Sequence, residues 1–173
     1  DVCSSDLAIS DSTGNLLFYT NGLSVADASH TIMPNGAGLL GDSSSAQGAI
    51  IVQQPMSDSI YYIFNVDYNQ SGNTPSGNGF TYSVVDISLN GGMGDVTLMN
   101  IPVRPAVREK ITAVRHANGV DYWIVIIDWT DDDIYAYLFD ETGLNTTPVV
   151  SNVGPFHDHQ ALRTTGYLKA SRQ

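Results

Sequence analysis

The stretch Ile111-Thr112-Ala113-Val114 leads into the turn Ala117-Asn118-Gly119 and returns as Tyr122-Trp123-Ile124-Val125-Ile126. A short apolar strand, a tight turn and an aromatic strand in this order predict a β-hairpin. The same order occurs twice earlier in the chain, where the aromatic strands are Leu16–Thr20 and Ile60–Phe64. A recurring unit of strands cannot bury its faces alone, so the repeat predicts a stack of similar sheets.

The third unit continues with the acidic turn Asp131-Asp132-Asp133, the strand Ile134–Phe139 and a last strand at Pro148–Ser151. Four strands in about 40 residues is the size of one blade of a β-propeller. The aromatic strand Ile60–Phe64 is apolar nearly throughout, which predicts a strand that is covered on both faces. We therefore predict an all-β chain that forms a partial, truncated β-propeller of about three four-stranded antiparallel blades.

The predicted blades span residues 8–46, 47–108 and 109–153, and a further blade would start within 160–173. Three blades cannot close a ring, so we expect a fragment with uncovered apolar blade faces at both ends. Within these units, we predict a connecting loop at His30–Asp42 and an inserted loop at Tyr68–Gly79. Further strands are predicted at Leu23–Ala26, Phe80–Asp86 and Val96–Met99.

The acidic residues are 16 Asp and only 2 Glu, and the net charge is −11. Asp favours turns and caps over helix interiors, so this composition also indicates a β-rich chain with acidic turns. A nucleic-acid partner requires a basic surface stripe, which seven scattered Lys and Arg residues do not form. No apolar run approaches the ~20 residues that span a bilayer, so we expect no membrane insertion.

The opening residues Asp1–Leu7 match the translated end of a common sequencing adapter. We expect this segment to be an artefact and the protein's own sequence to start near Ala8. Cys3, the single cysteine, lies in this segment and cannot form an intrachain disulfide. We therefore assign it no catalytic role.

Several stretches resemble a known family: Ile9–Gly22, Met33–Gly41, Tyr61–Phe64, Asp86–Val96, Glu109–Val114, His116–Gly119 and Asp121–Trp123. They resemble the N-terminal β-propeller region of secreted and surface proteins of Bacteroidetes, which end in a gliding-motility-associated, type IX secretion (type B) sorting domain. The resemblance covers roughly Ala8 to Leu168. It implies a secreted or outer cell-surface location and supplies no catalytic residue.

Two clusters are weak candidates for a metal site. His157 and His159 would share one face of a strand, and two imidazoles beside a carboxylate suit a transition metal. Asp131 and Asp133 could bind Ca²⁺, although the alternating acids and the glycine of an EF-hand loop are missing. An exposed loop and an ordinary Asp-rich turn are the simpler explanations of the two clusters, so we assign no metal ligand and no cofactor.

Aromatic residues could line a sugar-binding surface or pack between blades, and aromatic strand residues usually pack. Trp129 follows its strand beside the acidic turn, so we predict that it is exposed and a candidate ligand-binding residue. The other members of the set are Tyr61, Tyr62, Tyr82, Tyr122, Trp123, Tyr135 and Tyr137.

The chain contains no Gly-x-Ser-x-Gly elbow of a hydrolase, and no glycine-rich loop with a lysine that would bind phosphate. We expect no enzyme activity and no catalytic or cofactor-binding residue. The expected function is a non-enzymatic adhesion or scaffold module that binds an extracellular glycan or protein. The alternative is a propeller hydrolase or lyase acting on polysaccharide, with its site in further blades of the same full-length chain.

Overall fold

The computed structural model describes residues 7–42, 47–67, 77–129, 133–153 and 167–171. Within these ranges the regular structure is β-strand, apart from one 3₁₀ turn at Asn90–Gly92. The strands form three separate antiparallel sheets in chain order, which confirms the predicted all-β class and the repeat of sheets. None of the described segments forms an apolar helix of the length that a bilayer crossing requires.

The first sheet contains β1 (Leu7–Ser10), β2 (Leu16–Thr20), β3 (Ser24–Asp27) and β4 (Ile32–Ala37), paired in that order. β1 starts at Leu7, which pairs with Thr20 across the sheet.

The loop predicted at His30–Asp42 is wrong, because this segment contains β4. Pro34 is compatible with a strand here because β4 is the edge of its sheet, where a missing N–H breaks no ladder bond. Met33 is buried in the core and anchors the strand.

The second sheet contains β5 (Ala49–Gln53), β6 (Ile60–Val66), β7 (Phe80–Asp86) and β8 (Asp95–Arg104). β6 and β7 lie where the sequence predicts strands, at Ile60–Phe64 and Phe80–Asp86. β8 is longer than the predicted Val96–Met99, because irregularities in its pairing with β7 let it follow that strand to Arg104. Asn100 adopts a φ of 58° within β8, a left-handed conformation that Asn tolerates better than most residues.

The third sheet contains β9 (Val107–Arg115), β10 (Tyr122–Asp128) and β11 (Ile134–Asp140). The outer edge of β11 is shared by two short strands, β12 (Gly143–Leu144) and β13 (Val149–Ser151), and β13 confirms the predicted last strand. β9 begins at Val107, so the third sheet starts slightly before the expected boundary at residue 109. The predicted start of a further unit is described only at 167–171, and those residues form no strand.

The second sheet lies between the other two. Every residue of β6 from Tyr61 to Val66 is buried, which confirms the prediction that this strand is covered on both faces. Tyr61 and Ile63 belong to the cluster shared with the first sheet, whereas Tyr62 and Phe64 belong to the cluster shared with the third. The alternation of side chains along β6 therefore supplies both interfaces from one strand.

One turn recurs at the same place in all three sheets. An aspartate ends the third strand, and its carboxylate accepts hydrogen bonds from the main-chain N–H and the hydroxyl of the Ser or Thr two residues on. These aspartates are Asp27, Asp86 and Asp140. In each, the hydroxyl bond is the main cause of a pKa below the ordinary value of an aspartate. The repeat thus includes its turn chemistry as well as its strands.

Side-chain carboxamides tie neighbouring sheets together at their rims. Asn100 donates to the carbonyl of Gly38 at 2.8 Å and accepts from the N–H of Leu40 at 3.0 Å. Asn65 donates to the carbonyl of Gly22 at 3.2 Å. Between the second and third sheets, Gln54 donates to the carbonyl of Glu141 at 2.6 Å. These side chains replace the main-chain pairing that separate sheets cannot provide.

Candidate functional site

The candidate metal residues are not brought together in the described structure. His157, His159 and Asp131 lie outside the described residues. Asp133 is half-buried, and its Oδ1 accepts a hydrogen bond of 2.7 Å from Nδ2 of Asn152. Among the described residues, no three His, Cys, Asp or Glu side chains are close enough to share a metal ion.

Trp129 is fully buried, so the prediction that it is exposed is wrong. The ladder between β9 and β10 is irregular near Asp128, which pairs with Val107, and the N–H of Trp129 then donates to the carbonyl of Ala106 at 3.3 Å. The guanidinium carbon of Arg108 lies 5.6 Å from the centre of the indole ring. Trp129 therefore packs over the β8–β9 turn and is no surface for a ligand.

Most of the other aromatic residues confirm the packing interpretation. Tyr61, Tyr62, Tyr135 and Tyr137 are buried between sheets, and Tyr82 and Tyr122 are partly buried against the same core. Trp123 differs from all of them. It alternates with Ile124, which faces the second sheet, so its side chain lies on the opposite face of the third sheet.

Neighbouring side chains fix the position of the Trp123 indole. Its cross-strand partners are Val114 on β9 and Leu138 on β11, and all three residues are half-buried. The imidazole of His116 lies against the indole, with ring centroids 5.4 Å apart and planes inclined by 47°. The indole therefore packs against Val114, Leu138 and His116, and part of its surface remains exposed to solvent.

The turn that carries His116 is fixed by its own hydrogen bonds. The N–H of His116 donates to the carbonyl of Asp121 at 2.8 Å, and the N–H of Asn118 donates to Nδ1 of His116 at 3.1 Å. Gly119 has a φ of 74°, which the predicted Asn-Gly turn requires and which glycine adopts without strain. Because Nδ1 is an acceptor, the neutral imidazole carries its proton on Nε2 and can donate from there.

A cleft of about 910 Å³ opens beside the Trp123 indole and the His116 turn, and we call it the Trp123 cleft. One wall is the end of β9 and the following turn, and the other is the segment at residues 169–171. That segment is positioned by Gln47, whose Oε1 accepts from the N–H of Leu168 at 2.8 Å. The lining residues are Thr112, Ala113, Val114, Arg115, His116, Ala117, Trp123, Lys169, Ala170 and Ser171.

The Trp123 cleft contains one exposed cation, Lys169. The other exposed cationic side chain of the described residues is Arg115, whose backbone end borders the cleft while its guanidinium lies 5.6 Å from the ring centre of Tyr122, on the face towards the second sheet. None of the described lining residues is acidic. Arg104, in contrast, forms an ion pair with the buried carboxylate of Asp128, which raises the pKa of Arg104 against the opposing effect of burial.

A second, smaller groove of about 560 Å³ lies on the other side of Arg115, between the β5–β6 turn and the β9–β10 turn. Arg115 lines both spaces; its Nη2 donates to the hydroxyl of Tyr122 at 3.4 Å. Met56 in the facing turn is 80% exposed and has a φ of 61°, a conformation that is unusual for a bulky residue. The guanidinium of Arg115 therefore belongs to this second groove, which also contains the exposed Asp58.

Comparison with known proteins adds no assignment: no family model, no curated protein and no solved structure matches this chain.

The sequence does contain a feature that bears on Trp123, although the acidic turn beside Trp129 favours Trp129 as the exposed residue. Along Tyr122–Asp128 the sequence is apolar at nearly every position, so alternation assigns Trp123, Val125 and Ile127 to one face without saying which face is covered. The cleft also needs Lys169, which follows Trp123 by 46 residues in the chain. No local pattern predicts that these two residues line the same cleft.

Proposed function

We propose that the three sheets are consecutive blades of a β-propeller that works as a non-enzymatic, secreted or cell-surface binding module for a glycan or a protein. The observation that supports a binding role is the Trp123 cleft. It combines the partly accessible ring of Trp123 with the imidazole of His116 and the exposed cation Lys169. Ligand sites typically pair aromatic walls with a few well-placed polar groups.

Three features of the sheets support the propeller. Each sheet is antiparallel and follows chain order from its first strand outward. The first strands β1, β5 and β9 are neighbours in succession, as inner strands around a common axis would be. The second sheet is buried on both faces by its neighbours. Radial repetition of four-stranded sheets has these same properties.

The outer face of the third sheet supports the expectation of further blades in the full-length chain. Val125, Ile127 and Ala136 alternate with residues that face the second sheet, and no other described sheet covers them. Trp123 and Leu138 lie on the same face at the end nearest the β9–β10 turn, so the binding proposal applies to that end and the further blade to the rest of the face. A secreted or outer-surface location is supported by the resemblance to the Bacteroidetes proteins alone.

A binding array tests the proposal. The 173-residue chain would be applied to immobilised neutral and acidic glycans and to extracellular-matrix proteins, beside the variants Trp123→Ala and Tyr19→Ala. Tyr19 is also a half-buried aromatic residue, but it lies on the first sheet and does not line the cleft. We expect Trp123→Ala to lose binding and Tyr19→Ala to retain it.

Two results would contradict the proposal. Binding that survives Trp123→Ala would exclude the cleft as the site, and absence of binding to every glycan and protein would exclude a binding role for this part of the chain. Release of shortened sugars from the array polysaccharides would favour the hydrolase or lyase alternative, and a mass-spectrometric assay of the supernatant would detect them.

A further inference from the structure

We propose that the groove around the guanidinium of Arg115 is a docking site for an extended peptide segment of a partner protein, in which an acidic and a basic residue are neighbours. We call it the Arg115 groove. One wall is the β5–β6 turn at residues 53–58, and the other contains Arg115, Gly119, Val120 and Tyr122. Of the described residues it shares only Arg115 with the Trp123 cleft, so this inference goes beyond the proposed function.

The tip of the β5–β6 turn holds an apolar side chain in an unfavourable conformation. The N–H of Ser57 donates to the carbonyl of Gln54 at 3.1 Å, so Pro55 and Met56 are the central residues of a β-turn. Met56 has a φ of 61° at the position where such a turn favours glycine or asparagine, and its side chain is 80% exposed. An exposed side chain stabilises no core, so strain that is kept here indicates a contact outside the chain.

The facing wall presents a second apolar side chain from a fixed turn. Val120 is 43% exposed, and its N–H donates to Oδ1 of Asn118 at 3.0 Å. Gln54 joins the second and third sheets through its bond to the carbonyl of Glu141. The walls are therefore ordered before a partner binds, which lowers the entropic cost of binding.

The chemistry of these walls favours a peptide over a sugar. A thioether and a branched aliphatic group pack well against an aliphatic side chain, whereas a sugar ring needs an accessible aromatic face. The one aromatic ring among the described lining residues is that of Tyr122, which is half-buried and has the guanidinium of Arg115 5.6 Å from its centre.

The groove carries opposite charges on its two walls. Asp58 is exposed on the second-sheet wall, and Arg115 is exposed on the third-sheet wall. In the part of the chain that the structure describes, Arg115 forms no ion pair, and its bond to the hydroxyl of Tyr122 uses Nη2 alone. The remaining donors of the guanidinium suit a carboxylate. A bound segment is thus complementary when it offers an acid to Arg115 and a base to Asp58.

The spacing of the two charges follows from the geometry of an extended chain. Successive side chains of such a chain point to opposite sides, so an acid and a base at consecutive positions reach opposite walls. With one residue between them, both would face the same wall, and one of them would meet its own sign. An acidic glycan would satisfy Arg115 and be repelled by Asp58.

The experiment uses the 173-residue chain labelled with ¹³C at its methionine methyl groups and observed by NMR. The probes are two blocked hexapeptides of identical composition, acetyl-Val-Leu-Lys-Glu-Leu-Val-amide and acetyl-Val-Lys-Leu-Glu-Leu-Val-amide. We expect the first to bind at least about tenfold more tightly, the effect of about one charge-assisted hydrogen bond. The methyl signal of Met56 should shift, while that of Met99, which is also exposed but lies outside the groove, should not.

Two variants test the residues that carry the proposal. Met56→Gly removes the strain at this φ, so we expect an unchanged or higher melting temperature together with binding weakened by at least about fivefold. Arg115→Gln/Asp58→Asn removes one charge of each sign and keeps the net charge at −11, and it should bind the two peptides equally. Met99→Ala is the control and should keep the preference.

The contrary outcomes are distinct. Equal affinity of the unaltered chain for both peptides would overturn the recognition of charge spacing. Tight binding by Met56→Gly, or a shift at Met99 instead of Met56, would overturn the location. A larger shift of Met56 with a galacturonic acid trimer than with either peptide would assign the groove to a glycan. Absence of peptide binding to a chain that melts cooperatively would overturn this inference alone, since the array with Trp123→Ala tests the proposed function separately.

Discussion

The two interfaces that join the three sheets are built differently. The first sheet meets the second mainly through aliphatic side chains, with one aromatic pair, Phe18 and Tyr61, at 5.5 Å between ring centroids. The second meets the third through a cluster of rings in which Phe64 alone contacts four others. The remaining rings of this cluster are Tyr62, Phe80, Tyr82, Tyr137 and Phe139.

The polar contacts at the edges of these two interfaces also differ. Carboxamides of Asn65, Asn100 and Asn35 connect the first sheet to the second. A buried charge, the Asp128 carboxylate paired with Arg104, closes one rim between the second and third. Carboxamides thus connect both pairs of sheets, since Gln54 also bonds to the carbonyl of Glu141, and among the described residues the second and third sheets share a buried ion pair in addition. The predictions below test whether the two interfaces differ in strength.

The largest effect is expected from truncating a buried ring in each interface. Phe64 and Phe18 are both fully buried, so Phe64→Ala and Phe18→Ala remove the same atoms. We expect a loss of unfolding free energy of about 5 kcal/mol for Phe64→Ala and about 3 kcal/mol for Phe18→Ala, because Phe64 also loses ring–ring contacts. Urea denaturation followed by circular dichroism measures both, and equal losses would show that the interfaces are equivalent.

The second effect concerns the ion pair. Asp128 is almost fully buried, whereas Arg104 is 28% exposed and also lies 3.8 Å from the ring centre of Tyr135. We expect Asp128→Asn to cost about 2 kcal/mol, less than for a fully buried pair, because water can reach the remaining guanidinium. The double variant Arg104→Met/Asp128→Asn should recover part of the loss in the same denaturation assay. No recovery would show that the carboxylate acts through other contacts.

A smaller effect is expected at the first interface. Asn65→Ala removes the hydrogen bond to the carbonyl of Gly22, which still accepts from the N–H of Gly41 at 3.0 Å. We expect a loss of about 1 kcal/mol, the net value of a typical hydrogen bond. Thermal melts would record it. A loss as large as that of Asp128→Asn would show that the Asn65 hydrogen bond and the ion pair between Arg104 and Asp128 contribute equally to stability.

The smallest effects are expected at the aspartate turns, which occur at the ends of the third strands in all three sheets. The pKa values of Asp27, Asp86 and Asp140 are lowered in the folded chain. Their contribution to stability is therefore present above the unfolded pKa near 3.8 and is lost as the pH falls through the lower folded pKa values. Melting temperatures measured from pH 5 to about pH 2 should fall, and Asp86→Asn should make this fall shallower.

The strand order and the two-sided burial of β6 could be predicted because hydrophobic runs and Asn-Gly turns are local signals. The sequence does not predict β4, because Pro34-Asn35-Gly36 is typical of a loop and only the edge position makes it acceptable in a strand. It does not predict the burial of Trp129 either, because an irregular pairing at Asp128 redirects the chain. The Trp123 cleft depends on Gln47 and Lys169, which are distant in sequence, so no local pattern encodes it.

The double coverage of β6 has a consequence for how this protein can vary. A strand with one solvent-exposed face accepts polar substitutions at every second position, so its sequence varies at alternate positions among homologues. From Tyr61 to Val66 there is no solvent-exposed face, and consecutive positions are bounded by a neighbouring sheet on one side or the other. Homologues should therefore preserve this hexapeptide as one unbroken block, and it is the segment by which distant relatives would be recognised.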